Sequence, residues 1–187
     1  RDPQSVRLVV VTKTFPASDV AILAGLGCVD VAENRDQEAR AKAAELGRLT
    51  DGVAASDRLR WHMIGQLQRN KARSVAAWAD IVESVDRTEI ADALSAAATA
   101  QGRLLQILIQ VCLDPTPIPG RGGVPASQAR DLARHCRALP GLELAGVMGV
   151  APYPGDPDRA FAALARFREE LASVDPAITQ MSAGMSG

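Results

Sequence analysis

The chain has 187 residues, enough for one domain with a sizeable core. Hydrophobic residues make up 47% and charged residues 23%, a folded globular balance that excludes a disordered chain. Lys and Arg number 21 against 22 Asp and Glu, a net charge of -1, so nothing global points to nucleic acid or an anionic membrane surface.

Short β-branched runs alternate with Ala-rich amphipathic stretches along the chain. The first run, residues 7–12, ends at Lys13, and Pro16 suits the first turn of a helix over 17–26. Strand two covers 28–32 and a charged helix covers 36–49. Strand three is expected at 59–64, a helix at 70–78 and strand four at 81–84. Asp86, with Glu89 three residues on, has capping-box spacing and opens a helix to residue 98. Strand five, 104–112, is the longest apolar run, and a loop rich in Pro and Gly follows at 114–123. A helix from Pro125 or Ser127 to Cys136 leads into strand six at 142–150. A Pro-rich loop at 151–157, a helix at 158–173 and strand seven at 178–182 come next. The chain closes on Ala183-Gly-Met-Ser-Gly187.

Near-continuous apolar strands separated by helices mean a parallel sheet with covered faces. Regular crossovers favour a closed barrel over a doubly wound sheet, and no Gly-x-Gly-x-x-Gly opens the first helix. Seven strands are one short of a (β/α)8 TIM barrel, so an eighth is expected after Gly187. The start lacks an initiator Met and lacks the regions of a signal peptide, so the chain is expected to begin inside a longer parent. No apolar stretch is long enough to span a bilayer. Cys28, Cys112 and Cys136 form neither a disulfide framework nor a zinc knuckle, which fits a reducing cytoplasm.

In a barrel, functional residues gather where strands end. Lys13 ends strand one, Glu33-Asn34 follow strand two, and strand three carries His62. Ser84 ends strand four, Met148 lies near the end of strand six, and Ser182 ends strand seven. A lysine beside apolar walls can capture an aldehyde such as pyridoxal phosphate as a Schiff base; alternatively, it is a solvated lysine that closes a strand. Residues 182–187 offer free amides that can wrap a phosphate, or form an ordinary Gly-rich turn. Glu33 can pair with Arg35 or Arg69, and Asn34 can bond at a cofactor rim. His62 is either structural or a site residue, and Arg69, Lys71 and Arg73 form a small basic patch. Tyr153, the only tyrosine, is expected to pack under its Pro-bracketed loop. No metal constellation stands out, since His62 and His135 are the only histidines and His135 falls on an outer helix.

Several motifs in order resemble the pyridoxal phosphate homeostasis protein family. They are Val11-Thr-Lys13-Thr, Ala32-Glu-Asn34, Trp61-His-Met-Ile-Gly65-Gln-Leu-Gln68-Arg-Asn-Lys71, Ser84-Val-Asp86-Arg87, Gly120-Arg-Gly-Gly-Val124, Gly146-Val-Met148 and Ser182-Ala-Gly-Met-Ser186. The resemblance covers essentially the whole chain and implies a fold-type III barrel similar to the alanine racemase N-terminal domain. It implies pyridoxal 5'-phosphate on Lys13, with Ser182 and Ser186 helping to hold the phosphate. It places Asn34, His62, Ser84 and Met148 in or behind the wall of that site. It further implies a cytoplasmic monomer or weak homodimer that carries or regulates the cofactor without established turnover. The expected partners are the cofactor and, transiently, the apo-enzymes that use it, with no nucleic acid and no membrane.

The family's last strand, with its Arg-Ile-Gly-type segment, would follow Gly187, and its N-terminal helix is mostly absent. Residues 1–187 are therefore expected to form a single barrel domain, incomplete at both ends. Ala32 and Arg35 stand where the family usually has Gly and Tyr. The competing function is a pyridoxal phosphate-dependent amino acid racemase, which needs a second acid or base on the opposite ring face. A third is a protein-binding barrel in which Lys13 is structural.

Overall fold

The computed structural model describes residues 2, 5–49, 59–114, 118 and 120–185. In chain order it runs β1 (Val10–Val11), α1 (Ala17–Gly25), β2 (Asp30–Glu33), α2 (Asp36–Leu49) and β3 (Arg60–Met63). A 3-10 turn (Arg69–Lys71) continues into α3 (Ala72–Trp78), then β4 (Ile81–Val85), α4 (Thr88–Ala100) and β5 (Leu105–Gln110). The chain goes on through α5 (Ala126–Arg137), β6 (Leu142–Ala151), α6 (Pro157–Ala172) and β7 (Gln180–Met185). The seven strands pair in sequence order, all parallel, as a curled half-barrel.

Side-chain alternation sorts each strand between two layers. Trp61, Met63, Val82, Ile107, Ile109 and Val147 join the helices in the main core. Trp61 meets Trp78 of α3 edge to face, with ring centroids 6.5 Å apart. Asp36, the first residue of α2, accepts bonds from Ser74 Oγ at 2.8 Å and Trp78 Nε1 at 3.0 Å, which ties α2 to α3. Ala39, Lys42 and Leu46 are the buried stripe of α2, at helical spacing. Asp156 caps α6 through its carboxylate, bonded to the amides of Asp158 and Arg159, and Pro157 opens the first turn.

The other face of the sheet has a separate small apolar cluster of Ile81, Leu108, Ala145 and Met148, all from strands. Below it lies a layer of charge. His62 Nδ1 is 2.5 Å from Glu83 Oε1, and His62 Nε2 is 3.0 Å from Asp30 Oδ1. Arg60 Nη2 reaches Asp30 Oδ1 at 2.7 Å, and Arg7 Nε lies 3.7 Å from Asp30 Oδ2. Ionised carboxylates only accept, so a ring bonded to two of them is satisfied when both its nitrogens carry protons. Burial alone would push the His62 pKa down, but the bonds and charges of Glu83 and Asp30 outweigh it and hold it above 6.5.

Four expectations change. Strand one is two residues long rather than 7–12: its register with β2 covers Val10 and Val11, with one further bond from the Thr12 amide to Ala32 O, and Val6 and Leu8 are exposed. Asp86 does not cap α4. Arg87 holds the cap position without a side-chain bond, and the Asp86 carboxylate turns to Arg87 Nη1 at 2.5 Å and the Gly123 amide at 3.3 Å. β7 continues to Met185, because the last four residues of the ten-residue β6 offer it backbone partners, Met148 to Ser182 through Ala151 to Met185. Tyr153 is 77% exposed rather than packed under its loop.

Two stability predictions follow from this packing. The His62 contribution is fully present below pH 6.5 and is lost as pH rises through the raised folded-state value. Denaturant unfolding should show stability falling above pH 6.5, and His62→Leu should remove that slope while costing about 3–5 kcal/mol by stranding buried charge. The same slope in both proteins would refute the assignment. At Gly146, an added Cβ would lie 2.2 Å from the Gln180 carbonyl oxygen, a backbone atom of the paired strand. Gly146→Ala should therefore destabilise by about 1–3 kcal/mol in the same assay, as the strands part.

Candidate functional site

The mouth of the sheet starts at Lys13. The Thr12 amide donates to Ala32 O at 2.9 Å, and Thr12 Oγ1 donates to Glu33 Oε1 at 2.6 Å on the helix side. The chain then turns at once, with the Phe15 amide donating to Thr12 O at 3.1 Å. Thr14 sits at φ 71°, where a β-branched residue costs about 1–3 kcal/mol. Its hydroxyl donates to Lys13 O at 2.5 Å. Lys13 is exposed, and its amine has no bonding partner among the described residues.

Asn34 follows β2 at the same level and is exposed. A Cβ at Gly65 would lie 2.0 Å from Asn34 O and 2.8 Å from its Oδ1, so the β3 exit can pass Asn34 only as glycine. His62 sits deeper, and its two ring nitrogens are both taken by carboxylates. Ser84 is buried in β4, and its Oγ is one of two buried side-chain oxygens without a partner among the described residues. Met148 belongs to the inner cluster and pairs in register with half-buried Ser182. Ser186 lies outside the described residues. The structure pairs Met148 with Ser182 in register, while Lys13 and Asn34 each lie two residues past the last β1–β2 pair, Val11 and Ala32, and His62 pairs with Ala32 two residues below Asn34.

The other orphaned oxygen is Glu33 Oε2. Glu33 pairs with neither Arg35 nor Arg69. Its side chain is fully buried, and its Oε1 lies 2.5 Å from Lys42 Nζ, itself only 8% exposed. Lys42 Nζ also donates to Thr12 O at 2.7 Å. Arg35 turns instead to Glu38 at 3.0 Å. A signal for this pair exists: Lys42 interrupts the apolar stripe of α2, where a lysine needs a buried partner.

Two clefts flank the mouth. One of about 550 Å³ is lined by Asn34, Gln66, Gln68, Lys71 and Arg87; Arg69 and Arg73 of the expected basic patch are exposed instead. Arg87 Nη2 donates to Leu67 O at 2.8 Å and so anchors that loop. The other, of about 360 Å³, is lined by Gln110, Asp114, Arg121 and Tyr153. There Arg121 ties Asp114 Oδ1 at 3.2 Å to Ala151 O at 2.8 Å. Among the described residues, no cluster of His, Cys, Asp and Glu is placed to hold a metal, and no helix is long and apolar enough to cross a membrane.

Residues 3–187 match the family model described as alanine racemase, N-terminal domain. The chain is 41% identical over 197 residues to the pyridoxal phosphate homeostasis protein of Mycobacterium bovis, covering 100% of this chain and 76% of that protein. Its structure is similar to that of PipY of Synechococcus elongatus with PLP bound, at a TM-score of 0.82 and 28% identity over 98% of this chain and 91% of that one. An alanine racemase of Clostridium difficile shares the fold at a TM-score of 0.74, with 14% identity over 95% of this chain and 46% of that one. With its strand-mouth lysine on a half-barrel of this type, the chain belongs to the pyridoxal phosphate homeostasis protein family.

Proposed function

We propose that this chain binds pyridoxal 5'-phosphate as a Schiff base on Lys13 and serves intracellular homeostasis of that cofactor without catalytic turnover. The observation that carries this reading is the exposed Lys13 amine, unpartnered among the described residues and raised on a strained turn at the strand mouth. The cofactor supplies an aldehyde carbon, with which an unprotonated amine condenses to release one water.

The residues present fit such a group. Among the described residues no carboxylate holds the Lys13 amine, and Ser84 offers a buried hydroxyl without a partner. Asn34 lines the rim, Met148 gives an apolar wall, and the Ser182 hydroxyl supports the phosphate. Ser186 shares that phosphate role in this proposal. His62 acts from below, holding β2, β3 and β4 through Asp30 and Glu83. PipY, the relative with PLP bound, supports the cofactor's identity. The cytoplasm as location, the monomer or weak homodimer, and transient contact with apo-enzymes belong to the same proposal.

A racemase needs a second proton carrier on the far face of the ring. Tyr153, the only phenol, lies in an exposed loop after β6. The racemase fold likeness, at 14% identity, does not supply that second group.

The full-length protein should show a visible band on addition of pyridoxal 5'-phosphate, bleached by borohydride, with the reduced adduct on Lys13 by mass spectrometry. Lys13→Ala should lose both band and adduct, and an unmodified Lys13 after reduction would sink the proposal. Alanine racemisation should stay at the buffer rate; turnover that depends on Lys13 would overturn the homeostasis reading.

A further inference from the structure

We infer that Glu33 and Lys42 are positioning residues for Lys13, a buried ion pair on the helix side of the sheet that fixes the direction in which the Lys13 side chain leaves the strand. The inference rests on the Lys13 reading above and extends it to two residues that face away from the mouth.

The geometry is a chain of contacts ending at one peptide plane. Lys42 Nζ, on α2, donates to Thr12 O at 2.7 Å, and the Phe15 amide donates to the same oxygen at 3.1 Å. Thr12 C=O shares its plane with the amide nitrogen and Cα of Lys13. An oxygen held from two directions therefore fixes where the Lys13 Cα lies. Glu33 Oε1 completes the arrangement by taking both Lys42 Nζ at 2.5 Å and Thr12 Oγ1 at 2.6 Å. The Thr12 main chain and side chain are thus both held by one pair.

Two features indicate that this is more than packing. A buried ion pair seldom stabilises a fold better than apolar residues of similar volume, and this one leaves Glu33 Oε2 buried without a partner among the described residues. An apolar contact would attach α2 to the sheet as well, but it would give the Thr12 carbonyl no direction. The residue two beyond, Thr14, is held at φ 71°, and such strain persists only where surrounding contacts over-determine the backbone. The two bonds on Thr12 O and the bond from Thr14 Oγ1 to Lys13 O supply that over-determination.

The test uses the full-length protein and pyridoxal 5'-phosphate, and follows the rate at which the borohydride-trappable adduct forms on Lys13 and the pH midpoint of the visible band. Lys42→Met keeps the stem and removes the donor. The trapping rate should fall roughly 10- to 100-fold, as expected when a reacting group is misplaced by about 1 Å, and the midpoint should move. Lys42→Arg, which keeps a charged donor, should recover part of the rate. Thr12→Val keeps the volume and removes the hydroxyl with its bond to Glu33 and its longer contact to Ala32 O, while the Lys42 bond to Thr12 O stays, so it decides the matter where Lys42→Met does not fold; a several-fold slower rate is expected. Wild-type rate and midpoint in a folded Lys42→Met, or in Thr12→Val, would overturn the positioning role. An adduct that survives in Lys13→Ala would instead overturn the Lys13 reading, so the two failures are distinct.

Discussion

A curled parallel sheet must fill its concave face, and this one fills the floor with charge. Asp30, Arg60, His62 and Glu83 come from β2, β3 and β4, and each carboxylate takes its donors from a neighbouring strand. In a low-dielectric layer an unpaired member would be costly, so the register of these three strands is tied to the bonding of His62. A slip of one residue would send Trp61 or Met63 to the floor and His62 among the helices. The apolar cluster of Ile81, Leu108, Ala145 and Met148 is a second inner-face layer beside this floor. The mouth residues keep their relative positions because the strands beneath them cannot slide.

The mouth inherits this rigidity unevenly. On the β1–β2 side, hydrogen bonds and an ion pair hold the backbone around Lys13. On the β4–β5 side, Asp86 joins Arg87 to the Gly123 amide, which links two loops rather than capping a helix. On the β6–β7 side, ordinary ladder pairing carries Met148 and Ser182. Side-chain chemistry therefore concentrates where the strand is shortest. β1 has two residues, too few for its ladder alone to orient the residue that follows.

Much of this was legible in the sequence because it depends on period and punctuation. The bounds of α2 agree, as does the parallel alternation, since apolar spacing and chain breakers report them directly. The placement of Lys13 and Asn34 at strand ends followed from the same pattern. What escaped was pairing between distant polar groups. Glu33 has charged candidates in Arg35, two residues on, and Arg69, past strand three, but burial selected Lys42, nine residues away on the inward stripe of α2. Asp86 has capping-box spacing, yet a loop amide across the mouth competed for its carboxylate. The segment after strand seven looked like a turn from its small residues, and the length of β6 drew it into the sheet. For Asp86 and for β7 a partner far away in the chain decided, the Gly123 amide and β6; for Glu33 burial on the stripe of α2 decided, and local propensity carries none of this.

The ionic floor also gives the domain a particular response to heat. Hydration of charged groups becomes less favourable as temperature rises, so the water that Asp30, Glu83 and Arg60 forgo on folding is a smaller loss when warm. Apolar burial around Ile81, Leu108 and Met148 gains no matching advantage, because its stabilisation per unit area levels off. The balance between the two inner layers therefore tilts toward the charged one on warming. The strands that carry His62 keep their mutual grip at temperatures where the apolar layer beside them has stopped contributing more.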